Sequence, residues 1–271
     1  MSTTPPADAG AALPTVNMLW IGPRLGWIER LSAASFLEVG HPVHLHVYDD
    51  AIEGVPEGVV LQDAAATMSL DEAQTLRYPK TGSFALGSNL FRYRLQKQNA
   101  GLWADMDVVC LQPVQLGQTA TFGWESKQYI NGAILHFRAD HSIVNAALAA
   151  FETNTIPHWV RMRKALPLRL RKALGTTLKP ADMPRGTFGP KGLTALARDF
   201  DLVGHASPTD VFYPVPPKQA RSVFEPGSTI EAFLTERSQT VHLWNEKVGE
   251  LKRSRPPANS AVGQLISRFG L

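Results

Sequence analysis

The chain has 271 residues, 44% of them hydrophobic, and a formal net charge of +3 at pH 7. This hydrophobic fraction supports a sizeable core and excludes a wholly disordered chain, and the length suits one large α/β domain or two small ones. A pI of about 9.0 fits phosphorylated substrates but is too weak an excess to indicate nucleic acid as a partner. The single cysteine, Cys110, excludes an internal disulfide and any cluster of thiolate ligands.

The sequence contains no run of about 18 apolar residues, which a membrane-spanning helix would need. Residues 1–14 are rich in Ala, Pro and Thr, which predicts a disordered N-terminal lead-in, and they lack the basic start and apolar centre of a secretory signal. We therefore expect a cytoplasmic protein with its domain at 15–250 and a linker and C-terminal tail at 251–271.

The first part of the chain alternates between strand and helix patterns. The predicted elements are strands over 16–21 and 43–48, helices over 27–37 and 86–95, and a short strand over 102–103. This order predicts an α/β fold with a mostly parallel, Rossmann-like central sheet flanked by helices, in a single domain with helical additions. In such sheets the ligand lies beyond the carboxyl ends of the strands.

The second part continues with less regular alternation. The predicted elements are strands over 120–124, 130–137, 212–215 and 240–243, and helices over 142–151 and 261–269. A basic, leucine-containing segment lies at 161–179, where Pro167 predicts two short helices instead of one. Such a segment is usually a solvated face; the alternative is peripheral docking to anionic lipid on the inner face of a membrane.

Two carboxylates, Asp105 and Asp107, interrupt an apolar stretch at the end of the 102–103 strand. Placing acids between hydrophobic segments costs free energy unless a cation or hydrogen-bond donors compensate them. Carboxylates are ligands suited to Mg²⁺ or Mn²⁺, ions that often hold a phosphate as well. The pattern predicts a metal-dependent nucleotide-sugar site. A second Asp-x-Asp, at 199–201, ends a helical pattern and is predicted to be a solvated helix end.

Other polar and aromatic residues fall near the same predicted edge. Ser88, Asn89 and Arg92 share one helix face, from which Arg92 can project towards phosphates or a sugar. Trp20 follows the first strand, where it either caps the core or stacks on a nucleobase. Asp49 ends the second strand, and the spacing predicts that it joins the same site.

Several other site types are unsupported. Residues 186–192 lack the order of a P-loop, and neither a G-x-G-x-x-G nor a G-x-S-x-G motif is present. His44 and His46 share a strand face, but without a nearby third histidine a solvated or cross-strand role is favoured over a metal site.

The motifs together resemble the glycosyltransferases with a DXD sugar-binding region. This group includes bacterial capsule and lipopolysaccharide sugar transferases, yeast-type mannosyltransferases, α1,4-galactosyltransferase-like enzymes and clostridial toxin glucosyltransferases. The resemblance spans about residues 16–246 and is strongest over 83–110. It rests on Leu19–Gly22, Ser88-Asn89, Arg92, Ala100-Gly101, Trp103, Asp105-Met-Asp107, Asn131–Ile134, Gly189-Pro190 with Thr194, Phe212–Pro214 and His242–Asn245.

The resemblance implies a GT-A fold, Mn²⁺ or Mg²⁺, a nucleotide-diphosphate sugar with UDP favoured, and transfer with retention to a glycan or glycolipid, in bacterial surface polysaccharide synthesis. Asp105, Asp107 and Arg92 are the implied catalytic residues, with His242 joining the two acids at the metal. The implied donor-binding residues are Trp20, Ile21, Gly22, Asp49, Ser88, Asn89, Arg92, Asp105, Trp244 and Asn245. The implied acceptor-side residues are Asn131, Gly132, Gly189 and Pro190.

Two residues depart from the family pattern. Asn89 replaces an acid, and an amide can hydrogen-bond a hydroxyl but cannot act as a base. Ala100 replaces a glycine, which is tolerable only at a negative φ. These departures leave two alternatives open: a nucleotide-sugar hydrolase or nucleotidyltransferase using the same acids, and a non-catalytic nucleotide-sugar-binding protein.

Overall fold

The computed structural model of the protein describes residues 12–78 and 81–271, so that most of the predicted N-terminal lead-in lies outside the described residues. The strands are β1 (Val16–Leu19), β2 (Val43–Val47), β3 (Val60–Asp63), β4 (Leu102–Ala104), β5 (Val108–Cys110), β6 (Ala120–Trp124), β7 (Ile130–Phe137) and β8 (Thr240–His242). The α-helices are α1 (Trp27–Glu38), α2 (Leu70–Thr75), α3 (Ala85–Lys97), α4 (Ser142–Ala149), α5 (Met162–Ala173), α6 (Pro190–Asp199), α7 (Thr209–Phe212), α8 (Asn245–Val248) and α9 (Ala261–Arg268).

Six strands form the central sheet in the order β3-β2-β1-β4-β7-β6. The first four run parallel, and β7 and β6 complete the sheet as antiparallel neighbours. The crossovers of the parallel part are made by helices such as α1 and α3, as expected for parallel strands. The predicted α/β class, with a mostly parallel sheet flanked by helices in one domain, is confirmed.

Each face of the sheet carries its own hydrophobic core, because successive side chains of a strand point to opposite faces. In β4, Leu102 and Ala104 belong to the core that contains α1 and α9, whereas Trp103 belongs to the core that contains α3, α4 and α6. All three side chains are at most 1% exposed. The strand that leads to the two acids is thus fixed from both sides.

The chain leaves the central sheet after β4 and enters a second, two-stranded sheet at β5, which pairs antiparallel with β8. The crossing is tight: the Asp105 N–H donates to the Ala133 carbonyl at 2.8 Å, and the Val108 N–H donates to the Asp105 carbonyl at 3.1 Å. Asp105 and Asp107 therefore lie in the turn between the two sheets. Both ends of this turn are tied to strands.

Two predicted strands differ from the structure. The first strand ends at Leu19 and not at residue 21. Residues 212–215 are not a strand, because Phe212 ends α7 and its apolar neighbours Tyr213 and Val215 are buried in irregular chain. A short apolar run looks the same in a buried strand and in a buried turn, so periodicity cannot separate the two.

The prediction that Pro167 splits the basic segment into two helices is also wrong, because α5 runs through it without interruption. Proline removes one backbone hydrogen bond of the helix. Because Pro167 has no N–H, the carbonyl four residues before it has no donor within the helix. Only Ala165 and Leu168 of α5 are buried, so water can hydrogen-bond to this carbonyl. Proline is therefore tolerated here more easily than in a buried helix.

The C-terminal segment is packed against the domain. Val262, Leu265 and Ile266 of α9 are at most 3% exposed and belong to the core beside α1. Residues 251–271, predicted as a linker and tail, therefore contribute to the fold. Within residues 12–78 and 81–271, no helix combines the length and apolar character needed to cross a bilayer.

Cys110 and His46 are buried core residues. The Cys110 thiol is buried in β5, and burial raises its pKa to about 12. Nε2 of His46 lies 2.9 Å from the Asn17 side-chain oxygen on β1, which is the predicted cross-strand role. His46 also packs edge-on against Phe91, with ring centroids 5.3 Å apart.

The buried His46 predicts a pH dependence of stability. Burial and the neighbouring His44 lower the pKa of His46 from 6.5 to about 4. A lowered histidine pKa means that the unfolded chain binds the proton more tightly, so stability is complete above pH 6.5 and is lost as the pH falls towards 4. We expect the melting temperature of His46→Gln to fall less than that of the unmodified protein across this interval. Equal losses in the two proteins would contradict the assignment, and the exposed His205→Gln serves as the control.

Candidate active site

A cavity of about 930 Å³ opens beside the turn that holds Asp105 and Asp107. Its walls come from α3, the β6–β7 hairpin, the start of α6 and the region from β8 to α8. Most of the residues predicted for the site line it: Asn89, Arg92, Asp105, Asp107, Asn131, Gly132, Gly189, Pro190, His242, Trp244 and Asn245. The cavity therefore joins segments that are more than 150 residues apart in the chain.

Asp105 is held by two donors that both reach its Oδ1 atom. Arg92 donates from Nη2 at 2.8 Å, and the Trp103 indole donates at 2.7 Å. The Arg92 guanidinium also donates to the Gly132 carbonyl and lies over the Trp103 ring at 5.0 Å from the centroid. Because these hydrogen bonds use only Oδ1, the other carboxylate oxygen is left available for a ligand in the cavity.

Arg92 is almost enclosed, with 8% of its side chain exposed. A Cβ atom at Gly132 would lie 3.1 Å from Arg92 Nη1, so the absence of a side chain at position 132 lets the guanidinium approach β7 closely. The sequence predicted an arginine that projects from the helix into the site. The structure places it on the cavity wall, where it orients Asp105.

Asp107 is paired across the two-stranded sheet. Its Oδ1 lies 3.1 Å from Nε2 of His242, and its Oδ2 accepts a hydrogen bond from the Asn245 N–H at 2.7 Å. The β5–β8 ladder sets Val108 opposite His242, which brings the imidazole beside the carboxylate. The pair depends on a contact between residues 135 positions apart in the chain.

The buried pair shifts both pKa values. Burial alone would raise the pKa of Asp107, but the positive charge of His242 and the hydrogen bonds from His242 and Asn245 outweigh it and lower the pKa. Burial alone would lower the pKa of His242, but the carboxylates of Asp107, Asp105 and Glu125 outweigh it and raise the pKa. Both shifts run in the direction expected when an imidazolium and a carboxylate stabilise each other.

The Asp105, Asp107 and His242 side chains fit a metal ion. Each offers a ligand atom, and these atoms lie within 4.8 Å of one another. The His242 Nδ1 atom is buried without a hydrogen-bond partner among residues 12–78 and 81–271, as is Oδ1 of the neighbouring Asn245. The His242 nitrogen that faces the acids is the other one, Nε2, which lies 3.1 Å from Asp107 Oδ1. Two carboxylates and one imidazole form a donor set suited to a divalent cation.

Trp244 closes the C-terminal side of the cavity in a strained conformation. Its φ of 54° lies in the left-handed region, which costs a residue with a side chain about 1–3 kcal/mol. The indole donates to the Val215 carbonyl at 2.8 Å, and its ring lies 4.0 Å from the His242 ring. The hydrogen bond to Val215 and the contact with the His242 ring therefore stabilise the strained conformation of Trp244 beside the candidate metal ligands.

Glu125 is a cavity residue that the sequence analysis missed. It follows β6, and its carboxylate accepts a hydrogen bond from the Asn131 side chain at 2.7 Å. Burial raises the pKa of Glu125, although the bond from Asn131 opposes the rise. Its position directly after a predicted strand, like that of Asp105, was the available signal.

The cavity rim carries basic residues that the sequence analysis also missed. Arg185, Lys247 and Lys252 line the cavity, and Arg185 pairs with Glu246 at 2.8 Å. Neither lysine takes part in an ion pair among the described residues. This positive rim suits an anionic ligand such as a diphosphate. Arg185 lies in a different segment of the chain from the two lysines, so no local pattern in the sequence groups the three residues.

Five predicted donor-binding residues do not line the cavity: Trp20, Ile21, Gly22, Asp49 and Ser88. The Trp20 indole donates to the Arg24 carbonyl at 3.1 Å, and Asp49 accepts the Ala51 N–H in a local turn at 3.0 Å. Trp20 and Asp49 follow β1 and β2, whereas the cavity is built on the β4–β7 side of the sheet. Proximity to a strand end alone therefore did not identify the residues that line it.

The two departures from the family pattern are accommodated. Ala100 is not among the residues with positive φ, and its neighbours Asn99 and Gly101 take φ values of 55° and 106°. A Cβ at Gly101 would lie 2.6 Å from the Thr15 carbonyl, so glycine is required at position 101 and not at position 100. Asn89 lines the cavity and donates to the Ala85 carbonyl at 2.7 Å.

Comparison with known proteins agrees with this geometry. The family described as "Alpha 1,4-glycosyltransferase conserved region" matches residues 203–269, which include His242, Trp244 and Asn245. The lactosylceramide 4-alpha-galactosyltransferase of Mus musculus is 27% identical over 183 residues, which cover 67% of this chain and 46% of the relative. The chain thus spans about half the length of this relative. Both the matched family and this relative are glycosyltransferases by description, which agrees with the resemblance seen in the sequence motifs.

Proposed function

We propose that this protein is a metal-dependent, retaining glycosyltransferase that moves a sugar from a nucleotide-diphosphate sugar to a glycan or glycolipid acceptor. The observation that carries the proposal is the convergence of Asp105, Asp107 and His242 within 4.8 Å at a cavity, in a chain that is similar to glycosyltransferases. The donor set supports a divalent cation, because Nε2 of His242 lies 3.1 Å from Asp107 and one oxygen of Asp105 takes no part in its hydrogen bonds to Arg92 and Trp103.

The three side chains would hold Mn²⁺, which accepts carboxylate and imidazole ligands together, whereas Mg²⁺ prefers oxygen ligands. When bound, the ion would act as a Lewis acid towards the diphosphate leaving group. Arg92 keeps Asp105 in position and adds a positive charge to the same wall. Lys247 and Lys252 at the rim add further positive charge for an anionic donor.

Two cavity carboxylates lie outside the metal-ligand group, and one of them, Glu246, is paired with Arg185. The other, Glu125, accepts a hydrogen bond from Asn131, one of the predicted acceptor-side residues. We assign it to the acceptor hydroxyl, whose proton it would accept during transfer. Its raised pKa supports this role, because a general base works best when its pKa approaches the working pH. Asn89 cannot serve in its place, because an amide is not a base.

The donor and acceptor classes are drawn from similarity. The relative's name gives lactosylceramide, a glycolipid, and a galactosyl group. We therefore propose UDP-galactose as the first donor to test and a terminal sugar of a glycolipid or glycan as the acceptor. The size of the cavity, about 930 Å³, is in the range of sites that enclose ligands of this kind.

Binding of Mn²⁺ should raise the melting temperature of the unmodified protein, because a ligand at about 100 times its Kd stabilises the native state by about 2.7 kcal/mol. We expect no such rise for Asp107→Asn, which keeps the shape of the side chain but weakens the ligand. The matched control is Asp201→Asn, in the other Asp-x-Asp, which should respond like the unmodified protein. A full Mn²⁺ response in Asp107→Asn would contradict the site.

The affinity for Mn²⁺ should also tighten as the pH rises from about 6 to 8. The ion requires neutral His242, whereas the pairing with Asp107 favours the protonated form by raising the pKa of the imidazole. Calorimetry at both pH values measures the change. An affinity that does not depend on pH would show that His242 is not a ligand.

Turnover of UDP-galactose with a glycolipid acceptor, in the presence of Mn²⁺, tests the reaction itself. Glu125→Gln should lower kcat by roughly 10²-fold or more and change the donor KM little, because general base catalysis contributes on that scale. The control is Glu246→Gln at the exposed rim, which should keep most of the activity.

Two outcomes of this assay would overturn the transferase proposal. Release of sugar to water faster than to any acceptor would indicate a nucleotide-sugar hydrolase. Binding of nucleotide sugars with Mn²⁺, without turnover across a panel of acceptors, would indicate a binding protein.

A further inference from the structure

Helix α5 carries a stripe of exposed apolar side chains. Met162, Leu166, Leu170 and Leu174 follow each other at intervals of four residues and are 61–76% exposed. Residues four apart lie on the same side of a helix. Only two other large hydrophobic side chains of the described residues are exposed, Val60 and Leu70, at 49% and 39%, and neither belongs to a stripe.

The stripe faces away from the body of the protein. Ala165 and Leu168 are the buried residues of α5 and mark the side that packs on the domain. At about 100° per residue, Leu166, Leu170 and Leu174 fall on the opposite side of the helix, and Met162 lies at the edge of that side, about 90° from the middle of the buried face. Exposing this much apolar surface to water is unfavourable. Such a contiguous patch indicates a surface that binds a protein or a membrane.

Basic residues flank the stripe on both sides. Residues 161–179 contain seven Lys and Arg and no Asp or Glu, whereas the whole chain has a net charge of +3, so the rest of the chain is net negative. Within the described residues, one of these seven side chains, Arg171, forms an ion pair, with Asp182. An apolar face bordered by lysines and arginines is typical of helices that lie in the interface of an anionic membrane.

We propose that α5 docks this protein on the surface of an anionic lipid bilayer, with the stripe entering the headgroup region and the flanking basic residues contacting the lipid phosphates. The charge argues for this occupant over a second copy of the chain, because a symmetric dimer through α5 would bring two strongly basic segments together. Long basic side chains can keep their charged ends at the headgroups while their stems lie along apolar surface.

Helix α5 packs on the same hydrophobic core as part of the cavity wall. Leu168 of α5 belongs to the same core as Phe188, which lines the cavity, and the chain from α5 leads through Arg185 to Gly189 at the start of α6. Docking would therefore hold the cavity near the membrane surface, where a glycolipid acceptor would be presented. The presentation of a glycolipid acceptor rests on the proposed function. The docking itself does not, since vesicle binding is measured without turnover.

Sedimentation of the full chain with phosphatidylcholine vesicles and with vesicles containing about one quarter phosphatidylglycerol tests the proposal. We expect binding to the anionic vesicles, weakened by salt. The apolar variant Leu166→Gln/Leu170→Gln/Leu174→Gln and the charge variant Arg163→Glu/Lys164→Glu/Arg169→Glu should each lower the partition coefficient at least about tenfold. All six side chains are exposed, so both variants should keep their melting temperatures.

Matched controls change the same chemistry elsewhere on the surface. Val60→Gln/Leu70→Gln removes the two other exposed apolar side chains, and Lys97→Glu/Arg198→Glu/Arg253→Glu makes the same change in net charge. Both controls should bind vesicles like the unmodified protein. If the charge control loses as much binding as the α5 charge variant, the attraction is a property of net charge and the proposal fails.

Three further results would overturn it: no binding to anionic vesicles, equal binding to the neutral ones, or full binding by the α5 variants. A protein that does not bind vesicles but is dimeric, and becomes monomeric in the apolar variant, would assign the stripe to self-association.

Discussion

The arrangement of the site depends on the pairing of β5 with β8. This short antiparallel ladder sets Val108 opposite His242 and so places the imidazole 3.1 Å from Asp107. Without the ladder, the acids of the turn after β4 would have no third ligand. The free energy that keeps a carboxylate and an imidazole together in a buried place comes from the packed strands around them, because burying charges is itself unfavourable.

Asp105 and Asp107 are held by different parts of the structure, although they are only two residues apart. Asp105 is tied to the main sheet by Arg92 and Trp103, and Asp107 is tied to the second sheet by His242 and Asn245. The turn between the two sheets therefore brings together two carboxylates, each of which is held in place by a different sheet. Such doubly supported positions suit a metal site, in which ligands must keep their geometry when the ion is absent.

The chemistry of the cavity and the surface of α5 point to the same kind of surroundings. A positive rim faces the space where an anionic donor would lie, and its two lysines form no ion pair with any residue that the structure describes; a helix with basic and exposed apolar side chains precedes the start of α6 in the chain. The two features are independent, since the cavity residues come from α3, β7, α6 and β8 and the stripe belongs to α5 alone. What connects them is the hydrophobic core to which both Leu168 of α5 and Phe188 of the cavity wall belong.

The sequence by itself determined the fold class and the central motif. Alternation of strand and helix patterns predicted the mostly parallel sheet, and acids between apolar segments indicated Asp105 and Asp107, because local periodicity and the cost of burying charge are properties of short stretches. Only the tertiary structure decided which strand ends share the cavity: it includes Glu125 and the rim lysines and leaves out Trp20 and Asp49. It also decided that α5 continues through Pro167 and that residues 212–215 are not a strand. These outcomes depend on packing between segments far apart in the chain, which no local pattern records.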